Sequence, residues 1–385
     1  MPLIPRLGAV LAGVSLLYAG AAAAQGCLEP GKWSLPSDPK PQPVSPVELA
    51  ATARGAQYVL LGETHDQVDH HRWQLHTLGM LLAVRGSLVI GMEMLPREAQ
   101  PVLERWIEGQ LSESELLRAA QWNKVWGYDA QLYSPILHFA RLHRLPLVAL
   151  NVDRALTREI RARGWAAIPP KQREGVSDPA PPTPAYRAVL RSWFEQHPNG
   201  TTGADSAAFD RFVEAQLAWD RAFAEALVQA AARRPGALVV GIIGSGHLRG
   251  GHGVPHQLAA LGAQRVRVWL PVFARTPCEE LAAGVADAVF AIESEQPAAT
   301  PRLGVVLEEE QDGPRVREVV AGSVAERAGV KPGDRLLAAA GNRIETAADL
   351  LATVKKQPPG TWLPLTVERS GREVDLVAKF PVATE

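Results

Sequence analysis

The chain has 385 residues, 46% of them hydrophobic and 21% charged, a composition of soluble globular proteins and a length that suits two domains better than one core. Lys and Arg number 40 and Asp and Glu 41, for a formal net charge of −1. So even a balance gives no electrostatic footing on nucleic acid or on an anionic membrane surface.

Residues 1–24 read as a signal peptide. Arg6 supplies the positive start, Leu7 to Ala24 is apolar and small, and Ala22-Ala23-Ala24 offers the small residues that cleavage needs. The protein is therefore expected to be exported, either periplasmic or anchored on the envelope side of a membrane. There are two cysteines, Cys27 and Cys278. Either Cys27 carries a lipid, with Ala24-Gln25-Gly26 as an imperfect attachment sequence, or it pairs with Cys278 in a disulfide that an oxidising compartment permits. Residues 25–47 form an extended lead-in, with six prolines between positions 29 and 47.

Five apolar runs then alternate with amphipathic stretches. The runs are Tyr58 to Gly62, Leu88 to Met92, Leu145 to Leu150, Ala237 to Ile243 and Val266 to Leu270. Helical patterns lie at Gln74 to Val84, Glu98 to Ile107 and Phe209 to Ala232. Near-continuous apolar strands alternating with helices imply an α/β fold, with a mostly parallel sheet covered by helices on both faces. Residues 164–206 break the pattern and read as an insertion or lid. The α/β domain is placed at 48–290 and a polar linker at 291–300.

Four of these strands end in polar residues. The first gives Glu63, Thr64, His65 and Asp66, the second Glu93, the third Asn151, Asp153 and Arg154, and the fourth Ser245 and His247. Ligands in open α/β sheets bind outside the carboxyl ends of the strands, so these residues are expected to meet at one rim. A helix over Asp69 to Val84 puts His71 on one face with Leu75, Leu78 and Leu82, pointing inward from the first turn. Its place at the positive helix end favours the neutral imidazole. His70 and His76 are expected to face solvent. The stretch Trp122 to Tyr133 is rich in aromatics. Trp122 and Trp126 serve core packing first, while Tyr128 and Tyr133 are the residues that could offer a phenolate to ferric iron. Arg141, eight residues after Tyr133, is expected to favour that anion if a helix continues that far.

At these residues the chain resembles the ChaN-like haem-binding lipoproteins of the haem-uptake and Tiki-like superfamily. The resemblance rests on Leu60-Leu61-Gly62-Glu63-Thr64-His65-Asp66-Gln67 with His70-His71, and on Gly91-Met92-Glu93-Met94. It continues through Trp126-Gly127-Tyr128, Tyr133-Ser134-Pro135-Ile136, the segment 212–220 and Gly244-Ser245-Gly246-His247. It implies an α/β fold, an envelope location and dimers that bind haem through tyrosine. The residues of this chain themselves make Tyr133 the first candidate and Tyr128 the second, with His71, His65 and His247 around the cofactor. Tiki-like relatives are metal-dependent proteases with Gly-x-x-His motifs, which Gly62-Glu63-Thr64-His65 fits. The alternative is accordingly a hydrolase using Glu63, His65, Glu93, His247 and a divalent metal.

Residues 301–385 resemble a PDZ domain. Val319, Gly322, Ala325, Ala328, Gly329, Gly333, Asp334 and Leu336 carry the bacterial pattern. Leu303, Gly304, Val305 and Val306 stand where the carboxylate-binding loop and second strand belong, which implies capture of a peptide or protein C-terminus by strand addition.

Overall fold

A computed structural model describes residues 27–196, 206–293 and 301–382. The expected signal peptide and most of the linker lie outside the described residues. The chain begins with β1 (Trp33–Leu35) and β2 (Gln42–Val44). Helix α1 (Pro46–Gly55) starts at Ser45, whose hydroxyl accepts from the Glu48 amide while the Glu48 carboxylate accepts from the Ser45 amide. Then come β3 (Tyr58–Glu63), α2 (Val68–Arg85), β4 (Leu88–Pro96), α3 (Gln100–Ile107), α4 (Glu113–Ala119), α5 (Trp122–Val125), α6 (Ser134–Leu142), β5 (Leu147–Asn151) and α7 (Arg154–Arg163). They are followed by α8 (Pro184–Gln196), α9 (Ser206–Arg233), β6 (Leu238–Gly244), α10 (Val254–Ala260), β7 (Val266–Phe273) and β8 (Ala288–Ile292).

The eight strands form one sheet in the order β2-β1-β8-β7-β3-β6-β4-β5. The six from β8 to β5 are parallel, and the β1–β2 hairpin adds antiparallel at the β8 edge. Side chains alternate between two buried faces. Val59 and Leu61 of β3, Ile90 and Met92 of β4, and Val240 and Ile242 of β6 enter one core. Tyr58, Leu60, Val89, Val239 and Ile243 enter the other, under α9 and α10. Because both faces are covered, the central strands read as unbroken apolar runs. The short strands β1 and β2 were not expected, and β8 carries the domain past the boundary set at 290. The segment 164–206 is bound into the fold where it is described. Helix α8 lies on α9, with Tyr186 and Leu190 buried against Phe209 and Val213.

The last unit contains β9 (Val305–Glu310), β10 (Gly313–Val319), α11 (Val324–Ala328), β11 (Arg335–Ala339), β12 (Asn342–Arg343), α12 (Ala347–Lys355), β13 (Trp362–Arg369) and β14 (Arg372–Lys379). Its antiparallel sheet runs β14-β13-β11-β10-β9, so β9 is an edge strand. Gly304 precedes β9 at φ +85°, and a Cβ there would lie 2.2 Å from the Ser323 Cβ, so the loop admits only glycine. The unit has its own core, including Leu303, Val316, Leu336, Leu350, Leu365 and Val367. Residues 301–385 are therefore expected to melt cooperatively when expressed alone. A broad, featureless melt of that fragment would refute an independent domain.

Candidate functional site

The carboxyl ends of β3, β4 and β6 are adjacent in the sheet, and they bring the predicted strand-end residues together. Glu63, the last residue of β3, is fully enclosed and is the hub of the cluster. One of its carboxylate oxygens accepts from the Tyr133 hydroxyl (2.7 Å) and from His65 Nδ1 (2.8 Å). The other accepts from Gln74 Nε2 (3.0 Å) and lies 3.5 Å from His71 Nδ1. Burial alone would raise the pKa of this carboxyl. The His65 hydrogen bond, the charges of the two imidazoles and the Tyr133 hydroxyl outweigh it, and Glu63 is held below its ordinary value.

His65 stands over Gly244 at the mouth of the site. Burial lowers its basicity, but the Glu63 hydrogen bond and the charges of Glu93 and Glu63 prevail, so its pKa is raised. A Cβ on Gly244 would come 2.8 Å from His65 Cε1 and 3.2 Å from Nε2, and glycine is what lets the imidazole lie against the end of β6. Gly244→Ala is expected to displace His65 and to destabilise the protein by about 1–3 kcal/mol through overpacking. A His65 NMR titration identical in the variant and the wild type would refute this contact.

On the other side of Glu93 is a second imidazole–carboxylate pair. His247 Nδ1 donates to Asp220 Oδ1 (2.5 Å), and Tyr186 donates to the other Asp220 oxygen (2.8 Å). His247 Nε2 lies 3.7 Å from Glu93 Oε1, while Glu93 Oε2 accepts from the Gly244 amide (2.6 Å). Burial depresses the basicity of His247, the charge and hydrogen bond of Asp220 restore it, and the net shift is upward. Asp220 sits inside α9, and Tyr186 inside the insertion. Neither was singled out from sequence, although Asp220 closes the segment 212–220 that carries part of the resemblance.

His71 is buried as expected, and its Nε2 donates to the His65 carbonyl (3.1 Å). The expectation for His70 fails. It is buried, its Nδ1 accepts the Thr64 amide (2.8 Å), and its pKa falls to about 4 through burial and then the charge of His71. The buried stripe of α2 runs through His70, Gln74, Thr77 and Leu81 as well as His71 and Leu78, and leaves Leu75 and Leu82 at its margin. Helix α2 turns in directly from the Thr64–Gln67 loop, so its first turn packs against the sheet instead of facing water.

The two tyrosines divide by burial. Tyr133 is fully enclosed, its ring against His71 (4.4 Å) and Trp122 (5.4 Å) and its hydroxyl bound to Glu63. Burial and the adjacent Glu63 charge drive its pKa far upward, and in this arrangement the phenol is a buried donor to Glu63. Tyr128 is 37% exposed. With Trp126 it forms an aromatic corner around His65, at centroid distances of 5.2 Å (Tyr128–His65) and 4.7 Å (Trp126–His65). Its pKa is raised by burial and by the charge of Asp66, and Arg154 opposes the rise. Arg154 is held in place by the Trp126 carbonyl (3.0 Å). Arg141 does not serve this role: it stacks on Trp106 (4.4 Å) and donates to the Leu111 carbonyl.

This arrangement sets an exposed phenol beside an imidazole at the strand ends, donor types that ferric iron accepts. The divalent-metal expectation for Glu63, His65, Glu93 and His247 is not supported. Among the described residues no group of three or more His, Cys, Asp or Glu side chains is arranged to hold a metal ion. Glu63 is consumed by four internal partners instead.

Cys27 and Cys278 form a disulfide, with their Cα atoms 5.3 Å apart. That bond occupies the sulfur on which the lipid alternative depends.

A solved structure described as cofacial haem binding to ChaN of Campylobacter jejuni is 19% identical, covers 67% of this chain and 95% of its own, and superposes with a TM-score of 0.54, a likeness of fold. A putative zinc metalloprotease of Agrobacterium fabrum is 46% identical over 72 residues, which is 19% of each chain, so this protein spans under a fifth of that relative. A serine endoprotease from Yersinia pestis is 20% identical over 22% of this chain and 30% of its own, with a TM-score of 0.20. Residues 301–379 match the PDZ domain model. Residues 49–258, more than half of the chain, match the model described as haem-binding uptake, Tiki superfamily, ChaN, and the protein belongs to that family.

Proposed function

We propose that the protein is an envelope haem-binding protein that takes up or hands on haem and uses its PDZ domain to recognise the C-terminus of a partner. One observation carries the haem reading. Tyr128 is the phenol that stands at the mouth beside His65 and Trp126, while Tyr133 is locked to Glu63. Bound there, haem would supply ferric iron for a phenolate. This chain's own residues would set the charge at the phenol through Arg154. They would also hold His65 in one tautomer through Glu63. Two copies apposed at the mouth are the expected assembly. An oxidising compartment is supported by the Cys27–Cys278 bond.

The PDZ reading is supported by the unpaired edge of β9 and by the Gly304 loop at its start, whose amides can receive a terminal carboxylate.

A hemin titration tests the proposal. Wild type is expected to give a Soret shift and a phenolate-to-iron charge-transfer band, with sedimentation of the loaded chain giving the copy number. Tyr128→Phe is expected to remove the charge-transfer band and weaken binding about tenfold or more, on the scale of one lost charged contact in a partly dry site. Tyr133→Phe is expected to keep the band. The opposite assignment, with the band lost in Tyr133→Phe and kept in Tyr128→Phe, would overturn the choice of ligand.

A further inference from the structure

We propose that the cleft between the two domains receives the carboxylate edge of the porphyrin, so that the PDZ domain forms part of the haem site. The inference rests on the haem reading above. The cleft has a volume of about 500 Å³ and is lined from one side by Arg118 and Tyr128, and from the other by Arg343, Leu351, Lys355 and Lys356. Tyr128 therefore belongs to both places: its ring meets His65 at 5.2 Å and also lines the cleft. The domains touch here through Asn123 Nδ2, which donates to Asp349 Oδ1 (3.1 Å), and through Lys356 Nζ, 3.7 Å from Asp129.

Charge decides which way the porphyrin points. Haem is a flat apolar ring with two carboxylates on one edge. On the strand-end side of Tyr128 lie Asp66, Glu93 and Glu63, whose negative charges act on its phenol and repel that edge. On the cleft side four cations line the wall against three carboxylates, Asp129, Glu345 and Asp349. Asp349 is committed to capping its own helix, where it accepts from the Thr346 amide and hydroxyl. Asp129 is beside Lys356, and Glu345 is 3.7 Å from Arg343 in a pair open to water. Arg118 and Lys355 make no ion pair among the described residues. The exposed Leu351 (52%) offers an apolar rest for the ring edge.

The probes are hemin and its dimethyl ester, which keeps the macrocycle and iron but has no free carboxylate. Soret titrations are run on the full chain, as wild type, as Arg118→Ala and as the double variant Arg343→Ala, Lys355→Ala. All three substitutions are at exposed positions outside both cores, and unchanged melts will confirm the fold. The double variant is expected to bind hemin about three- to tenfold more weakly, with two partly exposed ion pairs lost, and to bind the ester as wild type does. Arg118→Ala is expected to show a smaller loss of the same kind. Equal hemin affinity in wild type and double variant would overturn the cleft assignment. So would parallel losses for hemin and ester, since that result means the PDZ domain braces the Tyr128 segment without touching carboxylates. A wild type that gives no Soret shift at all removes the haem reading itself and leaves the cleft without this ligand.

Discussion

Glu63→Ala is expected to lower the free energy of unfolding by about 3–5 kcal/mol, the cost of removing one partner from a buried charged network, out of a total of about 5–15 kcal/mol for a typical domain. Glu63 is fully enclosed and is the acceptor shared by Tyr133, His65 and Gln74, with His71 at 3.5 Å. Truncation removes those acceptors in a place water does not reach. The Tyr133 hydroxyl and the His65 Nδ1–H are then buried or half-buried without their carboxylate, and each abandoned donor costs about 1–3 kcal/mol. Glu63→Gln is expected to cost less, since the amide oxygen still accepts from Tyr133 while the amide N–H groups confront His65. Urea unfolding at neutral pH measures both. A loss under about 1 kcal/mol in Glu63→Ala would show that the hub does not hold the site together.

The same cluster fixes how stability changes with pH. His65 and His247 have raised pKa values, so their contribution is complete below the ordinary histidine value of 6.5 and is lost as pH rises through the raised folded values. His70 has the opposite sign. Its folded pKa is depressed to about 4, so its contribution is present above 6.5 and is lost as pH falls from 6.5 toward 4. Glu63 is depressed below its ordinary 4.5, and its contribution is lost still lower, as pH falls through the folded value. Stability is therefore expected to peak near pH 6.5 and decline on both sides. In Glu63→Ala the decline below pH 4.5 should become shallower, and the alkaline decline should shrink because His65 loses its hydrogen-bonded carboxylate.

Much of this was legible in the sequence for physical reasons that particular residues show. The five long strands were readable because β3, β4 and β6 bury both faces, and an apolar run then survives without alternation. The convergence of Glu63, His65, Glu93 and His247 was readable because three neighbouring parallel strands end in polar residues. Other parts follow from pairings the sequence does not display. β1 and β2 are three residues each, β1 is followed by Pro36 and β2 has Pro43 at its centre; they exist because β8 offers an edge and Trp33 packs on Trp73, Trp269 and Phe290. Helical spacing turns His70 toward solvent, but its direction is set by a backbone amide at Thr64 in the preceding loop. Asp220 lies mid-helix, 27 residues from the histidine it orients, where a carboxylate reads as surface charge. Tyr133 drew notice for the same Ser-Pro turn that positions it, yet that turn aims the ring inward onto Glu63, and the open phenol is Tyr128.

Reduction of the Cys27–Cys278 bond is expected to cost about 2–5 kcal/mol. The two residues are 251 positions apart in sequence, so the bond closes a loop that takes in nearly the whole α/β domain, and the denatured chain loses more freedom the longer the loop. The folded side also depends on it. Cys27 precedes the β1–β2 hairpin at the outer edge of the sheet, and Gly31 and Lys32 hydrogen-bond to Ala291 of β8. Cys278 sits after β7, next in the sheet to β8. The bond thus ties the lead-in to the edge it covers, and with it Trp33, which is buried beside Trp73 and Trp269. Cys27→Ser, Cys278→Ser or a thiol reductant should lower the melting temperature by about 5–15 °C, at roughly 2–4 °C per kcal/mol for a domain of this size, and should shift tryptophan fluorescence as the Trp33 cluster loosens. The fall should be confined to the first of two transitions, since the PDZ core contains neither cysteine nor any part of that edge. Identical melts with and without reductant would mean that the hairpin is held by its ladder and the tryptophans alone.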